Sequence, residues 1–421
     1  MSPRYKWSLV AMLWWIAFFN YADRQAIFSV FPLLEKEMHL TPVQLGLLGS
    51  SFAWVYGLFA PIAGSIVDRI RRRTAILGGL YLWSAICMAT ASARGFGALL
   101  FFRGAEGLGE SFYFPAGVSM VSDYHGPETR SRALGFHQTS VYVGTIAGGV
   151  FAGWIAQSYG WRWSFIAFGG AGVLLGAVLN RFLREPATTD RLPDGRGSVD
   201  VLRLLTRAVP KGQAEPRPSG SGVSLFSNPL VAILMGAFAC ANFVAVVLLS
   251  WMPKYLYDEF HMSLAAAGLT ATIFVQLASM AGSPVGGWLA DRLRARTPGG
   301  RIAVQAIGVF GGAPFVVLCG LTKSAVALMA ALSLWGFFKG LYDANIFASL
   351  FDAIPPEARG TAAGFMNMAG WLGGGAAPVV IGFIASRTGS LGAAIAMAAA
   401  MYVLAGVLLV AGARSTTEGR L

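Results

Sequence analysis

Twelve long apolar runs, bounded by charges or Pro/Gly turns, fall at 8–33, 43–67, 74–93, 96–122, 132–157, 163–183, 228–252, 263–290, 302–321, 324–350, 360–386 and 390–413. A helix needs roughly 20 mostly apolar residues to cross a bilayer, where every backbone polar group must be satisfied internally. The chain lacks the short alternating segments of a membrane barrel. The spacing therefore predicts an all-α integral membrane protein with twelve transmembrane helices. Composition agrees, with 55% of 421 residues hydrophobic and 12% charged, against about 25% charged in a soluble domain. The first run is too long, and too charged near its middle, for a cleaved signal peptide.

Basic residues set the expected orientation. Most lie in the termini and even-numbered connections, including Arg4, Lys6, Arg69, Arg71 to Arg73, Arg130, Arg132, Arg292, Arg359 and Arg414. Lys36, Arg94, Arg162, Lys254, Lys323 and Arg387 lie opposite. The positive-inside rule then places both termini in the cytoplasm. The net charge of +12 is thus mainly a topology signal and does not indicate nucleic-acid binding. Cys87, Cys240 and Cys319 all fall in apolar runs, so no disulfide or metal framework is expected.

Seven ionisable residues remain inside the runs: Asp23, Arg24, Arg103, Glu106, Glu110, Lys339 and Asp343. Charges at bilayer depth face a protein cavity, pair with one another and mark ion or substrate paths. On one helix Arg103 and Glu110 share a face about 10 Å apart, with Glu106 one turn from either. Asn20 and Arg24 likewise share a face of the first helix. Acids outnumber bases in this set, so an odd carboxyl is expected to be protonated in one state, which points to a proton mechanism. A purely structural Arg103 salt bridge to Glu106 or Glu110 is the alternative reading of that group.

An internal repeat divides the chain. Adding 229 to Asp123, Glu128, Arg130, Gly135, Phe136, Gly144, Gly153 and Ile155 lands on Asp352, Glu357, Arg359, Gly364, Phe365, Gly373, Gly382 and Ile384. A second echo pairs Gly64-x-x-x-Asp68-Arg69 with Gly287-x-x-x-Asp291-Arg292. This is the signature of a duplicated six-helix unit. Two bundles, 1–184 and 227–421, are expected to flank a polar cytoplasmic linker at 185–226.

These residues resemble the major facilitator superfamily over nearly the whole chain. Gly64, Asp68, Arg69, Arg72 and Arg73 match its G-x-x-x-D-R-x-G-R-[KR] signature, with Arg71 replacing the second Gly. Asn20-Tyr21-Ala22-Asp23-Arg24, Arg103-Gly104-x-x-Gly107-x-Gly109-Glu110 with Phe114-Pro115, Trp161-Arg162-Trp163 and Trp251-x-Pro253-x-Tyr255 resemble the anion:cation symporter branch, with spinster-like transporters next. The resemblance implies two pseudo-symmetric six-helix bundles whose first and fourth helices line a central cavity. It assigns proton coupling to Asp23 and Glu110, tuned by Arg103 and Glu106, and anion binding to Arg24.

Arg suits that role because its fork grips a carboxylate bidentately and stays charged. Tyr21 and Asn20 sit beside it in sequence. The repeat offset carries Glu110 onto Lys339, an expected second handle for an anion with Asp343 as its resting partner; a helix-stabilising pair is the bland alternative. His137, Gln138, Thr139 and Tyr142 on the fifth helix, with Asn242, Gln276, Asn345 and Asn367, are further pocket candidates. Trp14, Trp15, Trp54, Tyr56 and Trp371 read as packing or lipid-belt groups. Asp68, Arg69, Arg72, Asp123, Glu128, Arg130, Asp291, Arg292, Asp352, Glu357 and Arg359 are expected to form gating ion pairs at the cytoplasmic helix ends.

No G-x-x-x-x-G-K-[ST] loop and no nucleophile–base pair is visible, so ATP drive and enzymatic chemistry are not expected, nor any cofactor. The expected function is proton-coupled symport of a small organic anion, such as a monocarboxylate or sugar acid, by alternating access. A spinster-like exporter of lysolipid or another amphiphile is the alternative, and a non-transporting membrane sensor a third. Ala, Gly and Arg content with short loops suits a bacterial inner membrane. A single chain holds both halves of the repeat and is expected to work as a monomer.

Overall fold

The computed structural model describes residues 3–67, 70–185, 228–354 and 359–417. Asp68, Arg69 and Glu357, and the expected linker beyond Glu185, lie outside the described residues. Among those described, sixteen helices and no strand are found. They build twelve membrane passes in two six-pass bundles.

In the first bundle the passes are α1 (Pro3–Ser29) with α2 (Phe31–Met38), α3 (Pro42–Val67), α4 (Arg72–Thr90), α5 (Phe96–Glu110) with α6 (Tyr113–Tyr124), α7 (Pro127–Tyr159) and α8 (Trp161–Phe182). The second bundle runs α9 (Pro229–Phe260), α10 (Leu264–Arg294), α11 (Gly300–Leu321), α12 (Ala325–Asp343) with α13 (Ile346–Asp352), α14 (Arg359–Thr388), and α15 (Leu391–Met397) with α16 (Ala399–Thr417). Nine helical stretches among the described residues are long and apolar enough to cross a membrane by themselves. The first, third and fourth passes are not among them; the first and fourth carry ionisable residues inside the bundle and are broken.

The sequence suggests twelve unbroken helices, and four are interrupted. Proline explains two of the interruptions, since it has no N–H and its ring crowds the carbonyl four residues back. Pro32 starts α2, and Pro115 sits in the first turn of α6. Between α12 and α13 a polar side chain takes over the freed carbonyl: Asn345 Nδ2 donates to Leu341 O at 3.0 Å and to Gly286 O at 3.1 Å. The pocket candidate Asn345 is therefore a brace of the break rather than a cavity group.

Repeated residues hold repeated contacts. Gly144 of α7 lies on the backbone of Phe18 in α1, and its counterpart Gly373 of α14 lies on Ala239 in α9. One face further on, Gly153 meets Leu264 of the other bundle, and its counterpart Gly382 meets Pro42. Glycine removes the Cβ that would otherwise block each approach. The caps also repeat, with His39 after the first pass and His261 after the seventh both in the left-handed region, at φ 51° and 52°.

Contacts between the bundles gather toward the side opposite the termini. Trp54 Nε1 donates to Leu372 O at 3.4 Å, Val379 N to Ser50 Oγ at 3.2 Å, and Gln25 Nε2 to Leu249 O at 3.0 Å. Beyond them Lys254 of α9 bonds both Glu35 of α2 and Asp258, the latter at 2.5 Å. The Trp161-Arg162 and Trp251 strings of the sixth and seventh passes brace this same end. Trp161 Nε1 and Arg162 hold the Glu37 carboxylate at 2.7 and 2.5 Å, while Trp251 Nε1 donates to Pro378 O at 3.0 Å.

Candidate functional site

A cavity of about 370 Å³ lies between the bundles, lined by Tyr21, Arg24, Gln138, Tyr142, Asn242, Gln276, Lys339, Asp343 and Trp371 among others. An adjoining recess of about 200 Å³ adds Tyr56, Phe114 and Asn367. A larger groove of about 710 Å³ runs between α11, α12 and α16. Its lining includes the exposed Ile307 and Phe310, so it faces outward from the second bundle and away from the charges.

Arg24 is fixed on the cavity wall by one carboxylate. Its Nε and Nη2 donate to the same oxygen of Glu110, Oε2, at 3.1 and 2.5 Å, and Nη2 also donates to Asn20 Oδ1 at 3.2 Å. Four aromatic rings surround the guanidinium: Tyr21 at 4.5 Å, Phe52 at 4.8 Å, and Tyr56 and Trp371 each at 5.0 Å. Trp371 comes from the other bundle. A cation over such faces is attracted by the ring quadrupole, the more so when desolvated. The polar inventory is nevertheless incomplete, because Arg24 Nη1, Glu110 Oε1 and Asn20 Nδ2 are buried without a partner. Buried polar atoms are rarely left so; Arg24 Nη1 and Asn20 Nδ2 are donors and Glu110 Oε1 an acceptor.

Asp23 and Arg24 do not act as one pair. Successive helical residues point about 100° apart, and Asp23 turns into the bundle. It meets Cys87 of α4 and Glu106 of α5, with their ligand-type atoms within 4.8 Å of one another. Glu106 is bonded to Arg103 one turn back, so of the two salt bridges open to Arg103 the structure forms the one with Glu106. Arg103 also stacks over Phe52 at 4.9 Å, the ring that Arg24 covers from its own side. Phe52 thus lies between Arg24, which lines the cavity with Glu110 buried behind it, and a fully enclosed group of Asp23, Cys87, Arg103 and Glu106.

Other expected groups divide in the same way. Gln138, Tyr142, Asn242, Gln276, Lys339 and Asp343 line the cavity, and Lys339 is bonded to Asp343. His137 lines only a narrow pocket beside Glu110. Its Nε2 shares a 2.8 Å hydrogen bond with Tyr113 OH, which donates to Leu13 O at 2.6 Å. Thr139 turns to α1 and accepts from Trp14 Nε1 at 2.9 Å. Trp371 and Tyr56, read from sequence as packing groups, belong to the site; the spacing of Trp371 four residues after Asn367 was the available signal.

At the terminal side, the described ion pairs each stay within one bundle. Arg72 pairs with Asp123, while Arg294 and Arg301 hold Asp352 and Arg301 also holds Asp291. Arg130 donates to Ser122 O at 3.2 Å, and its repeat partner Arg359 donates to Phe351 O at 3.2 Å, the repeat partner of Ser122. Arg292 lies over Trp288 at 5.5 Å, and Glu128 is exposed in the first turn of α7. Glu185 accepts from the backbone N–H groups of Arg72 and Arg73, each at 2.9 Å. The inter-bundle pair found here is instead Glu35 with Lys254, a residue that sequence reading used only for topology.

Twelve passes in two related bundles, with a charged cavity between them, define the fold of a membrane transporter. The chain belongs to the Major Facilitator Superfamily, whose family model matches residues 13–378 and 254–420; this is a family of transporters and not of enzymes. It is 27% identical to the D-galactonate transporter of Escherichia coli O6:H1, over 88% of this chain and 86% of that one. It is 26% identical to a probable galactarate/D-glucarate transporter of Bacillus subtilis, over 95% and 90%, and 25% identical to the hexuronate transporter of the same organism, over 97% and 95%. Among solved structures, a bacterial homolog of the human lysosomal transporter Spinster, inward-facing and unoccupied, matches with TM-score 0.82 and 20% identity, covering 100% and 99% of the two chains. That likeness is one of fold.

Proposed function

We propose that the protein takes up a sugar acid or related small organic anion together with protons. The observation that carries this reading is the pairing of Arg24, which lines the cavity, with Glu110 buried behind it, their side chains 10% and 0% exposed. Arg24 cannot lose its charge, so when the cavity is empty Glu110 must supply the counter-charge. A substrate carboxylate takes over that duty only when a proton neutralises Glu110. Charge balance at one guanidinium thus couples the two movements. The sugar-acid substrates of the relatives support the class of anion.

Tyr21, Asn20, Gln138, Tyr142 and Asn367 would supply hydroxyl and amide contacts to the cargo, with Lys339 and Asp343 on the facing wall. The enclosed group of Asp23, Arg103, Glu106 and Cys87 is assigned to proton transfer behind Phe52, and His137 to the narrow pocket beside Glu110. The closed side, held by Glu35, Lys254 and Asp258, is the outer one if the basic loops set both termini in the cytoplasm of a bacterial inner membrane. The cavity then faces inward, and the bundles rock about it to expose it on the other side. Residues 1–184 and 227–421 are the moving bodies, residues 185–226 their cytoplasmic linker, and one chain the working unit. Asp68, Arg69, Arg72, Asp123, Glu128, Arg130, Asp291, Arg292, Asp352, Glu357 and Arg359 would rearrange when the inner side closes.

Reconstituted protein tested with radiolabelled organic acids under an imposed pH gradient decides this reading. Gradient-driven accumulation of a sugar acid supports it; an amphiphile exporter shows none.

A further inference from the structure

The wall that faces Arg24 carries a second cation with its own acid. Lys339 is bonded to Asp343 one turn along α12, and their side chains are 17% and 36% exposed. Both line the same cavity as Arg24. The two pairs are placed alike, for Glu110 is the last residue of α5 and Asp343 the last of α12. Each acid therefore sits at a helix break in its own bundle and holds a cation of that bundle.

Given sugar-acid symport as proposed above, we infer that the cavity is built for a dicarboxylate, with one carboxylate on Arg24 and the other on Lys339. A polar strip joins the two cations. The Tyr21 ring lies 4.5 Å from the Arg24 guanidinium carbon, and Tyr142 lines the same cavity as Tyr21, Lys339 and Asp343. Phenol hydroxyls in such a strip suit the hydroxyl-bearing carbons between two terminal carboxylates. A monoacid engages only one end and leaves Lys339 and Asp343 bonded to each other as spectators. A partly exposed ion pair of that kind adds little to stability, so stability alone gives it no purpose in the cavity.

The charge balance sets a second consequence. Arg24 with Glu110 and Lys339 with Asp343 form two neutral pairs. A dianion displaces both acids from their cations, and the cavity stays neutral only if each acid takes a proton. Two protons then accompany a diacid and one a monoacid.

Galactarate and D-galactonate separate these cases, since they differ at one terminal carbon, a carboxylate in the first and a hydroxymethyl group in the second. The full-length protein in proteoliposomes is expected to favour galactarate, with two protons entering per molecule. Lys339→Gln is expected to cut the ratio of galactarate to galactonate affinity by about tenfold, as fits one lost charge-assisted hydrogen bond, and Lys339→Arg to restore it. An affinity ratio unmoved by Lys339→Gln overturns the inference. So does a wild type that accumulates galactonate and is not competed by galactarate, which leaves sugar-acid symport standing. Uptake of neither acid overturns the underlying sugar-acid reading and the diacid inference with it.

Discussion

Arg24 gives two hydrogen bonds to a single oxygen of Glu110, at 3.1 and 2.5 Å, while the other Glu110 oxygen stays without a partner. The guanidinium is thus held at its edge, and Nη1 is left free of a partner within the protein. Nε and Nη2 are both engaged, and only Nη1 remains for a further acceptor.

The fork, rather than the charge alone, should therefore carry substrate affinity. Arg24→Lys keeps the charge and loses the planar two-point grip. Uptake kinetics should show the apparent KM for the transported acid rising about tenfold or more, on the order of 1.4 kcal/mol. An unchanged KM would remove Arg24 from the binding site.

Trp371 lies 5.0 Å from the Arg24 guanidinium and reaches it from the second bundle. A desolvated cation–π contact contributes about 0.5–2 kcal/mol. Trp371→Ala should raise KM several-fold, and Trp371→Phe should retain most of the affinity. Equal loss in both variants would point to packing instead.

Lys254, with its side chain 8% exposed, ties Glu35 of one bundle to Asp258 of the other. Its two partners are 35% and 39% exposed, so the loss is smaller than for a dry pair, roughly 1–2 kcal/mol against the closed side. Lys254→Met should open that side more often. An impermeant thiol reagent applied there should label Phe28→Cys, in the cavity lining, about tenfold faster. The native Cys87, Cys240 and Cys319 are buried, which keeps background low. Equal labelling with and without Lys254 would show that the tie does not hold the gate.

Much of this architecture is legible in the chain. Hydropathy alone separates the passes, and the repeat of Gly144 and Gly153 as Gly373 and Gly382 foretells which glycines carry equivalent contacts. What is not legible is the direction each side chain takes. The resemblance divides the roles of Asp23 and Arg24, but only the rotation of α1 shows that one turns to Glu106 and Cys87 and the other to Glu110. Arg103 had two acids within one or two turns, and only packing of Phe52 between the two arginines separates them. Trp371 looked like any membrane tryptophan, and its one local signal was the spacing of four residues from Asn367. Lys254 needed a partner 219 residues away, a relation no local pattern records.

The exchange of Glu110 for a substrate carboxylate at Arg24 is tested most directly by Glu110→Gln in proteoliposomes. A neutral amide mimics the protonated acid, so Arg24 stays available and proton linkage is lost. Exchange of labelled for unlabelled sugar acid should persist, while accumulation driven by a pH gradient should fall at least tenfold. Full gradient-driven accumulation by Glu110→Gln would contradict the account.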